Sequence, residues 1–442
     1  VHEYGGVAFL VAGGRLLFVN DADQRLHVLD ATGTPRPLTP PGLRYADGHA
    51  AAGERQAVFV REDHRGAGEP RNTIVAIDPA MPSEGTVLFD RSDFVAAPRI
   101  SPDGNRLAFL SWNHPSMPWD GTPLHVGTLA DDGQRAVAGG DDESVIEPVW
   151  DDDGTLYFLS DRNGWWNLHR FRDGVVEAVT AFEAEMGGPL WQLGQSTWAL
   201  AGRGRAVAVI CRKARDELAV IDLATGTAAS LPLPFVTFDS VGMLDADTAF
   251  AVAASEDEPP ALIAVDLASG RHAVLRRTIE QAPLPSRFVS RAEVFEFPAE
   301  PGADGIARSA FAFFYPPHNP DFVAPAGEKP SLVVELHGGP TARTSPSLSL
   351  KRQFWTTRGF AVVDVNYGGS SGFGRAYRER LRGQWGVVDL ADAVAAVRFL
   401  VAAGRVDPRR VVIRGGSAGG FTVLSALAFT DVFAAGVNYY GV

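Results

Sequence analysis

The chain has 442 residues, which is enough for two or three domains of about 150 residues each. Lysine and arginine number 40 against 53 aspartates and glutamates, and the formal net charge of −13 argues against a surface that binds nucleic acid or an anionic membrane. Apolar residues make up 45% of the chain and charged residues 21%, a composition that excludes general disorder. No apolar run reaches the length of a membrane span and the N-terminus has no signal-like segment, so the sequence predicts a cytoplasmic protein without a membrane partner.

Residues 13–270 repeat one β-rich pattern and contain no extended helical period. In each copy a turn leads into an apolar strand and a second strand follows, which in four of the six copies ends in an aspartate and a glycine-containing turn. Asp30, Asp78, Asp222 and Asp266 end four of the copies at spacings of 48, 144 and 44 residues, and the longest gap holds two further copies. Four-stranded units with a period of about 40–50 residues are typical of propeller blades. We therefore predict a β-propeller over residues 1–280 with six visible blades, and we expect a seventh blade before this sequence in the full protein.

Other features of this region could suggest further chemistry. The Asp-Gly turns could bind a metal, but aspartate and glycine supply hairpin geometry, and we assign them to that role with no metal expected. The tryptophans Trp112, Trp119, Trp165 and Trp166 fit a ligand surface and packing between blades about equally well. The single cysteine, Cys211, cannot form an internal disulfide, and we expect it to be a buried small apolar side chain.

The last third of the chain changes to alternating strands and helices. The blade repeat stops between Thr278 and Arg291, where Pro283 and Pro285 indicate a linker. Strands that alternate with helices indicate a mostly parallel, doubly wound sheet, which predicts a second domain over residues 281–442. The predicted strands are residues 310–315, 331–336, 360–365, 411–413 and 435–440, and the predicted helices are residues 385–403 and 418–429.

A serine lies on the turn between the strand at 411–413 and the helix that follows it. The segment has the G-x-S-x-G pattern of a nucleophile elbow, in the strand–turn–helix context that this motif requires. We predict that Ser417 is the catalytic nucleophile of an α/β-hydrolase domain, and that the amide of Ala418 donates to a developing oxyanion at the start of the helix. Gly415 and Gly419 are needed where a Cβ atom would clash with neighbouring backbone. The predicted elbow consists of Gly415, Gly416, Ser417, Ala418, Gly419 and Gly420.

A second glycine-rich motif ends an earlier strand, about 80 residues before the serine. It reads His337-Gly338-Gly339-Pro340 and occupies the place where the other oxyanion donor belongs, so the amide of Gly339 is the candidate. His337 is rejected as the general base, because in this fold the triad runs Ser, then Asp or Glu, then His along the chain. We expect His337 to shape the turn. The alternative is that both motifs are tight glycine turns in a sheet without catalysis.

The sequence does not supply the other two members of the triad. None of the ten histidines follows Ser417, and Asp431, the only acid after it, comes one helix on and too early for the triad position. We therefore expect about three further strand–helix units after residue 442, on the order of 100 residues, with the aspartate and the histidine among them.

Taken together, these motifs resemble the prolyl oligopeptidase family of serine peptidases, in its dipeptidyl aminopeptidase and acylaminoacyl peptidase branch. The resemblance spans essentially the whole chain, and its most specific part is the hydrolase region. It implies a propeller that caps an α/β-hydrolase and restricts access to short peptides. Family members cut after proline, release N-terminal dipeptides or remove acylated residues, and the sequence does not choose among these. The matching segments are residues 337–340, 366–374, 384–386 and 415–420, together with 1–6 and 111–121.

The resemblance also implies substrate-binding residues. Tyr367 lies within one of the matching segments and is a candidate to contact the substrate. Some relatives hold the free amino group of a substrate with propeller glutamates, and Glu183 and Glu185 could do this because two carboxylates can bind one ammonium group. The alternative is that both are ordinary exposed loop acids, which are rarely ligands.

The leading hypothesis is a serine peptidase that hydrolyses short peptides through an acyl-enzyme on Ser417. An esterase with the same nucleophile and oxyanion hole is the nearest alternative, and a propeller interaction module with an inactive hydrolase remnant is the alternative from another class. Short peptides are the expected partners, nucleic acid is not, and no metal or organic cofactor is expected. The sequence leaves homo-oligomerisation open.

Overall fold

The computed structural model describes residues 4–31, 33–50, 56–129, 133–280, 284–301 and 305–442. Its first part consists of six four-stranded sheets, and in each sheet the strands lie in the same order as in the chain. The first three sheets contain β1 (Phe9–Ala12), β2 (Arg15–Val19), β3 (Leu26–Leu29) and β4 (Arg36–Pro37); β5 (Leu43–Ala50), β6 (Ala57–Asp63), β7 (Arg71–Ile77) and β8 (Thr86–Phe89); and β9 (Phe94–Ile100), β10 (Arg106–Trp112), β11 (Leu124–Thr128) and β12 (Arg135–Ala138). The next three contain β13 (Val145–Trp150), β14 (Leu156–Ser160), β15 (Asn167–Arg172) and β16 (Val175–Ala178); β17 (Trp198–Ala201), β18 (Arg205–Arg212), β19 (Arg215–Asp222) and β20 (Ala228–Ser230); and β21 (Thr237–Met243), β22 (Thr248–Ala254), β23 (Ala261–Asp266) and β24 (His272–Arg277).

Apolar packing between successive sheets explains why the repeat folds in this way. Leu17 and Val28 of the first sheet pack with Phe59 of the second, while Val58 of the second packs with Phe109 of the third. Successive residues of a strand point to opposite faces, so each sheet needs a neighbour on both sides to bury its apolar residues. The predicted six-bladed β-propeller is confirmed.

The smaller predictions for this region have different outcomes. Trp112, Trp119 and Trp166 are buried, which favours packing, while Trp165 is half-buried. Cys211 is buried, as expected. The aspartates serve the turns: Asp103 accepts from the amide of Asn105, Asp222 from the amides of Ala224 and Thr225, and Asp266 from the amide of Ser269.

The second part of the chain forms one six-stranded sheet with the order β25-β26-β28-β27-β29-β30. The pairs β25–β26 and β26–β28 are antiparallel, and the four central and C-terminal strands are parallel. The apolar core lies between these strands and the two longer helices. The strands are β25 (Glu293–Ala299), β26 (Arg308–Tyr315), β27 (Leu332–Leu336), β28 (Ala361–Asn366), β29 (Val411–Gly416) and β30 (Ala435–Tyr439); the helices are α1 (Leu350–Thr356), α2 (Arg375–Arg378), α3 (Val388–Ala402) and α4 (Ala418–Phe429).

The predicted elements agree with these bounds to within three residues, with the largest differences at the end of β29 and the start of α3, and three elements were omitted. The strand β25 and the short helices α1 and α2 were not predicted. Helix α3 begins at Val388 rather than at Trp385, because Gly386 has a positive φ of 84° and its amide donates to the Asp389 carboxylate. Within the described ranges, every helix is too short or too polar to cross a bilayer.

The chain divides into two compact units. The first comprises Val1–Phe182, Met186–Ala206 and Ile221–Thr227, and the second comprises Glu183–Glu185, Val207–Val220 and Ala228–Val442. The change of sheet type after residue 277 agrees with the predicted boundary at 280, but the compact units do not follow it, and the boundary stays a prediction. Of the predicted linker, Pro283 lies outside the described residues, and Ser286–Phe288 form one 3-10 turn.

Candidate active site

Ser417 occupies a strained turn between β29 and α4. Its φ is 51° and its ψ is −123°, a conformation that residues with a Cβ rarely adopt and that clusters at functional sites. Its amide donates to the carbonyl of Tyr439 at 3.0 Å, and its carbonyl accepts from the amide of Phe421 at 3.1 Å. The turn is therefore fixed by the next strand on one side and by the helix on the other.

The glycines of the elbow are there because its backbone segments lie too close together for side chains. A Cβ on Gly415 would lie 2.5 Å from the carbonyl carbon of Gly419, and a Cβ on Gly419 would lie 2.4 Å from the carbonyl oxygen of Leu336. A Cβ on Gly420 would lie 2.4 Å from Oδ1 of Asn438. Gly416 has more space, because its first neighbour is the hydroxyl of an exposed tyrosine at 3.2 Å.

The His337–Pro340 turn lies directly against the serine. A Cβ built on Gly338 would be 3.4 Å from Cβ and 4.0 Å from Oγ of Ser417, so this turn packs directly against the serine side chain. Gly339 has a φ of 124°, which favours glycine. Ala418 is buried as the first residue of α4. The structure thus places Ser417 beside one predicted oxyanion donor in the chain and near the turn that carries the other.

His337 is fully engaged in holding this turn. Its Nδ1 lies 2.8 Å from the carbonyl oxygen of Gly338, and its Nε2 lies 2.8 Å from Oγ of Ser370. Burial lowers the pKa of the imidazole to about 4, despite the hydrogen bond to Gly338, so the ring is neutral at physiological pH. A neutral ring with both nitrogens occupied by other groups fits the predicted role in shaping the turn.

Tyr367 contacts the same turn through His337. It is buried, its ring stacks on His337 with centroids 4.3 Å apart, and its hydroxyl donates to the carbonyl oxygen of His337 at 3.0 Å. Burial raises the pKa of the hydroxyl well above 10, so it remains a donor. This position gives Tyr367 a structural contact with the turn, and the predicted contact with substrate stays a prediction.

Two aspartates of α3 hold the loops around the elbow, and sequence reasoning missed them. Asp389 accepts from the hydroxyl of Thr422 on α4, and Asp392 accepts from the amide of Gly368 at 2.7 Å. Burial raises the pKa of Asp392 to about 6 and also raises that of Asp389. The available signal was their spacing: two acids at i and i+3 fall on one face of a helix that contains only one other charged residue, Arg398.

The two predicted amino-group ligands differ in exposure. Glu183 is exposed, which fits the interpretation as an ordinary loop acid. For Glu185 that interpretation is wrong, because the residue is only 1% exposed and its Oε1 accepts from the amide of Gly374 at 3.1 Å. The sequence around Glu185 gave no signal for this burial, since the partner is 189 residues away in the chain.

Comparison with known proteins places these features in a family. The family model described as prolyl oligopeptidase family matches residues 346–442. A puromycin-hydrolyzing peptidase of Mycobacterium tuberculosis is similar over 100% of this chain and 70% of its own, with 41% identity and a TM-score of 0.91. A puromycin hydrolase has the same coverage and TM-score with 36% identity. The dipeptidyl aminopeptidase BIII of Pseudoxanthomonas mexicana is 40% identical over 111 residues, which are 25% of this chain and 16% of that protein.

Proposed function

The chain belongs to the prolyl oligopeptidase family of serine peptidases, and we propose that it provides the nucleophile and the oxyanion hole of a peptidase that hydrolyses short peptides. The observation that carries the proposal is the strained conformation of Ser417 with the Gly338 turn packed against it. The alignments with curated relatives cover only a small part of those proteins, 16% in the case above, so activity and substrates are inferred for this chain.

The geometry supports the following use of the site. The Oγ atom of Ser417 attacks the scissile carbonyl carbon, and the negative charge that forms on the carbonyl oxygen is stabilised by the amides of Ala418 and Gly339. The Oγ proton passes to a histidine base and then to the leaving amine, while the acyl group stays on Ser417 until water releases it. His337 does not fit the role of base because its pKa is about 4 and Gly338 and Ser370 occupy its nitrogens.

The neighbours suggest which amides to test. Two of the solved structures are of enzymes named for the hydrolysis of puromycin. In the puromycin molecule, an amino acid is attached to a nucleoside by an amide bond. We propose that this protein also cleaves such short aminoacyl amides and small peptides from their N-terminal end. We further propose that the propeller limits the length of accepted substrates and that the protein acts in the cytoplasm.

Labelling of the serine tests the core of the proposal. The natural polypeptide that contains this sequence is treated with a fluorophosphonate and digested, and we expect the adduct on the peptide that carries Ser417. Substitution of Ser417→Ala should remove the label and lower turnover of aminoacyl anilides and puromycin by at least about 10⁴-fold. A label on another serine, or turnover that survives the substitution, would contradict the proposal.

Substrate pairs separate the alternatives that share this chemistry. A peptidase should cleave an anilide and an ester with the same acyl group, and turnover should fall when the peptide is lengthened from three to about twenty residues. An esterase would cleave the ester alone. If Ser417 is neither labelled nor required, the interaction module with an inactive hydrolase remnant is the better explanation.

A further inference from the structure

Two buried carboxylates are connected to the segment around Cys211 at the end of the fifth four-stranded sheet, within the second compact unit. They belong to Glu185 and Asp216, each exposed by 5% or less. The backbone connects their segments: the amide of Glu185 donates to the carbonyl of Cys211 at 3.1 Å, and the amide of Cys211 donates to the carbonyl of Glu185 at 2.7 Å. Asp216 follows on β19, after the tight turn that leaves β18.

Glu185 holds the far end of the loop that follows β28. Its Oε1 accepts from the amide of Gly374 at 3.1 Å and lies 3.8 Å from Nη1 of Arg378. The same loop contains Ser370, whose hydroxyl contacts Nε2 of His337 at 2.8 Å. Gly374 is therefore four residues from the side chain that contacts the imidazole shaping the Gly338–Gly339 turn.

Asp216 holds the segment that leaves this turn. Its carboxylate forms an ion pair with Nη2 of Arg343 at 2.8 Å, and Nη1 of the same arginine contacts Sγ of Cys211. Arg343 comes three residues after Pro340, which closes the turn. The two held loops are also joined to each other, because the amide of Ser371 donates to the carbonyl of Ala342 at 2.8 Å.

We propose that Glu185 and Asp216 are positioning residues that fix the oxyanion turn through the loops on its two sides. The inference rests on the proposed function, because it assigns these residues a role in placing the Gly339 amide relative to Ser417. Stabilisation of an oxyanion depends on donors that are held in place before charge develops, and the loss of one donor costs about 10²–10³-fold in kcat. Misplacement of such a group by about 1 Å can cost about 10²-fold.

The contacts of Glu185 argue against a direct role in binding a substrate ammonium group. Its carboxylate already accepts from the amide of Gly374 and faces the cation of Arg378, and it is buried. Glu183, two residues earlier, is exposed, so its carboxylate is accessible to solvent. The two roles therefore predict different kinetics for the same substitutions.

Kinetics of four variants test the proposal. We expect Glu185→Ala to lower kcat by about 10- to 100-fold with little change in KM, equally for substrates with a free and with an acylated amino terminus. Glu185→Gln should lose less than about 10-fold, because an amide oxygen can still accept from Gly374. Asp216→Asn should lower kcat in the same manner. The matched control is Glu217→Gln, a half-buried acid next in the chain, which should stay within about twofold of the unmodified protein.

A different pattern would contradict the proposal. If Glu185→Gln and Glu183→Gln both raise KM for free-amine substrates alone, the two glutamates bind the substrate ammonium group. If kcat is unchanged in Glu185→Ala and in Asp216→Asn, neither residue positions the turn.

Hydrogen exchange supplies a readout that does not need turnover. In Glu185→Ala, the amide of Gly374 should exchange faster than in the unmodified protein, and in Glu185→Gln, which keeps an acceptor, the increase should be smaller. The amides of a blade hairpin serve as the internal control. Faster exchange in a protein that hydrolyses nothing would disprove the proposed function and leave the contact established. Unchanged exchange at Gly374 in folded Glu185→Ala would overturn the inference itself. If Glu185→Ala does not fold, the kcat of Asp216→Asn carries the test, and an unchanged kcat there would overturn the inference.

Discussion

Acidic residues do different work in the blades and around the serine. In the blade turns, Asp222 and Asp266 lie at the surface, and hydrogen bonds from residues two or three positions later lower the pKa of each carboxyl. In the hydrolase region, Asp364 on β28 and Asp389 and Asp392 on α3 are buried, and loss of water raises the pKa of each. The first group stabilises local turns, and the second holds together segments that are far apart in the chain.

The two groups differ in the free energy that it costs to keep their carboxylates in the folded state. A surface aspartate in a turn keeps its hydration, whereas a buried carboxylate must recover the lost hydration from specific partners. Each of these three buried acids has such partners: a threonine and an arginine for Asp364, a threonine and a backbone amide for Asp389, and a backbone amide for Asp392. Blades also contain a buried acid, Glu147, which accepts from the amide of Thr197 at 2.7 Å, so the contrast concerns the turns rather than whole sheets.

The largest effect should come from removing a buried acid of the hydrolase sheet. Asp364 contacts the hydroxyl of Thr344 and lies 3.6 Å from Nη1 of Arg352, which is itself buried. We expect Asp364→Ala to lower the free energy of unfolding by about 3–5 kcal/mol, because it leaves the buried guanidinium of Arg352 without this carboxylate. Denaturant unfolding followed by fluorescence measures this change. Asp364→Asn keeps an acceptor for Thr344 and should lose less, and an equal loss would show that the charge rather than the contact matters.

Two glycines, one beside the serine and one in a blade turn, differ in the space available for a Cβ atom. Gly419 is pressed against the carbonyl of Leu336, whereas Gly104 in a blade turn has a φ of 76° and open space where a Cβ would be. We expect Gly419→Ala to cost about 1–3 kcal/mol and about 10²-fold in turnover, because the added atom separates the serine turn from β27. Gly104→Ala should cost about 1 kcal/mol from backbone strain and leave turnover unchanged. Thermal unfolding and steady-state kinetics measure both, and loss of turnover in Gly104→Ala would break the comparison.

This contrast also explains how much could be predicted from the sequence. The blades repeat with a period near 48, and their turns are formed by neighbours in the chain, so six blades were predictable. The elbow was predictable because Gly415 and Gly419 fill positions that the motif itself defines. The burial of Glu185 was not, because its partner Gly374 is 189 residues away and nothing local distinguishes a buried acid from a solvated one. The spacing of Asp389 and Asp392 on α3 indicates a shared face, but it does not identify Thr422 and Gly368, which are 33 and 24 residues away.

Asp392 should give the clearest dependence of stability on pH. Burial raises its pKa to about 6 from 3.8, with a repulsive contribution from Asp389 and opposing contributions from the Gly368 amide and Arg380. The folded state therefore binds a proton that the unfolded state has lost between about pH 4 and pH 6, and the contribution of this group to stability falls as the pH rises through that window. We expect Asp392→Asn to be more stable relative to the unmodified protein at pH 7.5 than at pH 4.5, by about 1–3 kcal/mol. Thermal unfolding at both pH values checks this, and a difference of the opposite sign would show that the ionised carboxylate is favoured in the folded state.

The smallest effect is expected at a blade turn, with the opposite dependence on pH. The amides of Ala224 and Thr225 donate to Asp222, which lowers the pKa of its carboxyl, so its contribution to stability is present at neutral pH and is lost as the pH falls through the ordinary range of an aspartate. We expect Asp222→Ala to decrease Tm by no more than about 2 °C at pH 7.5, by less at pH 3.5, and to leave turnover unchanged. Asp222→Asn, which keeps an acceptor for both amides, is the control and should lose less. The hydrogen bonds of Asp222 join residues within three positions of one another, so we expect their loss to leave the conformation around Ser417 unchanged. A decrease in kcat in Asp222→Ala would show that the blade turns, like the buried acids, position the catalytic loops.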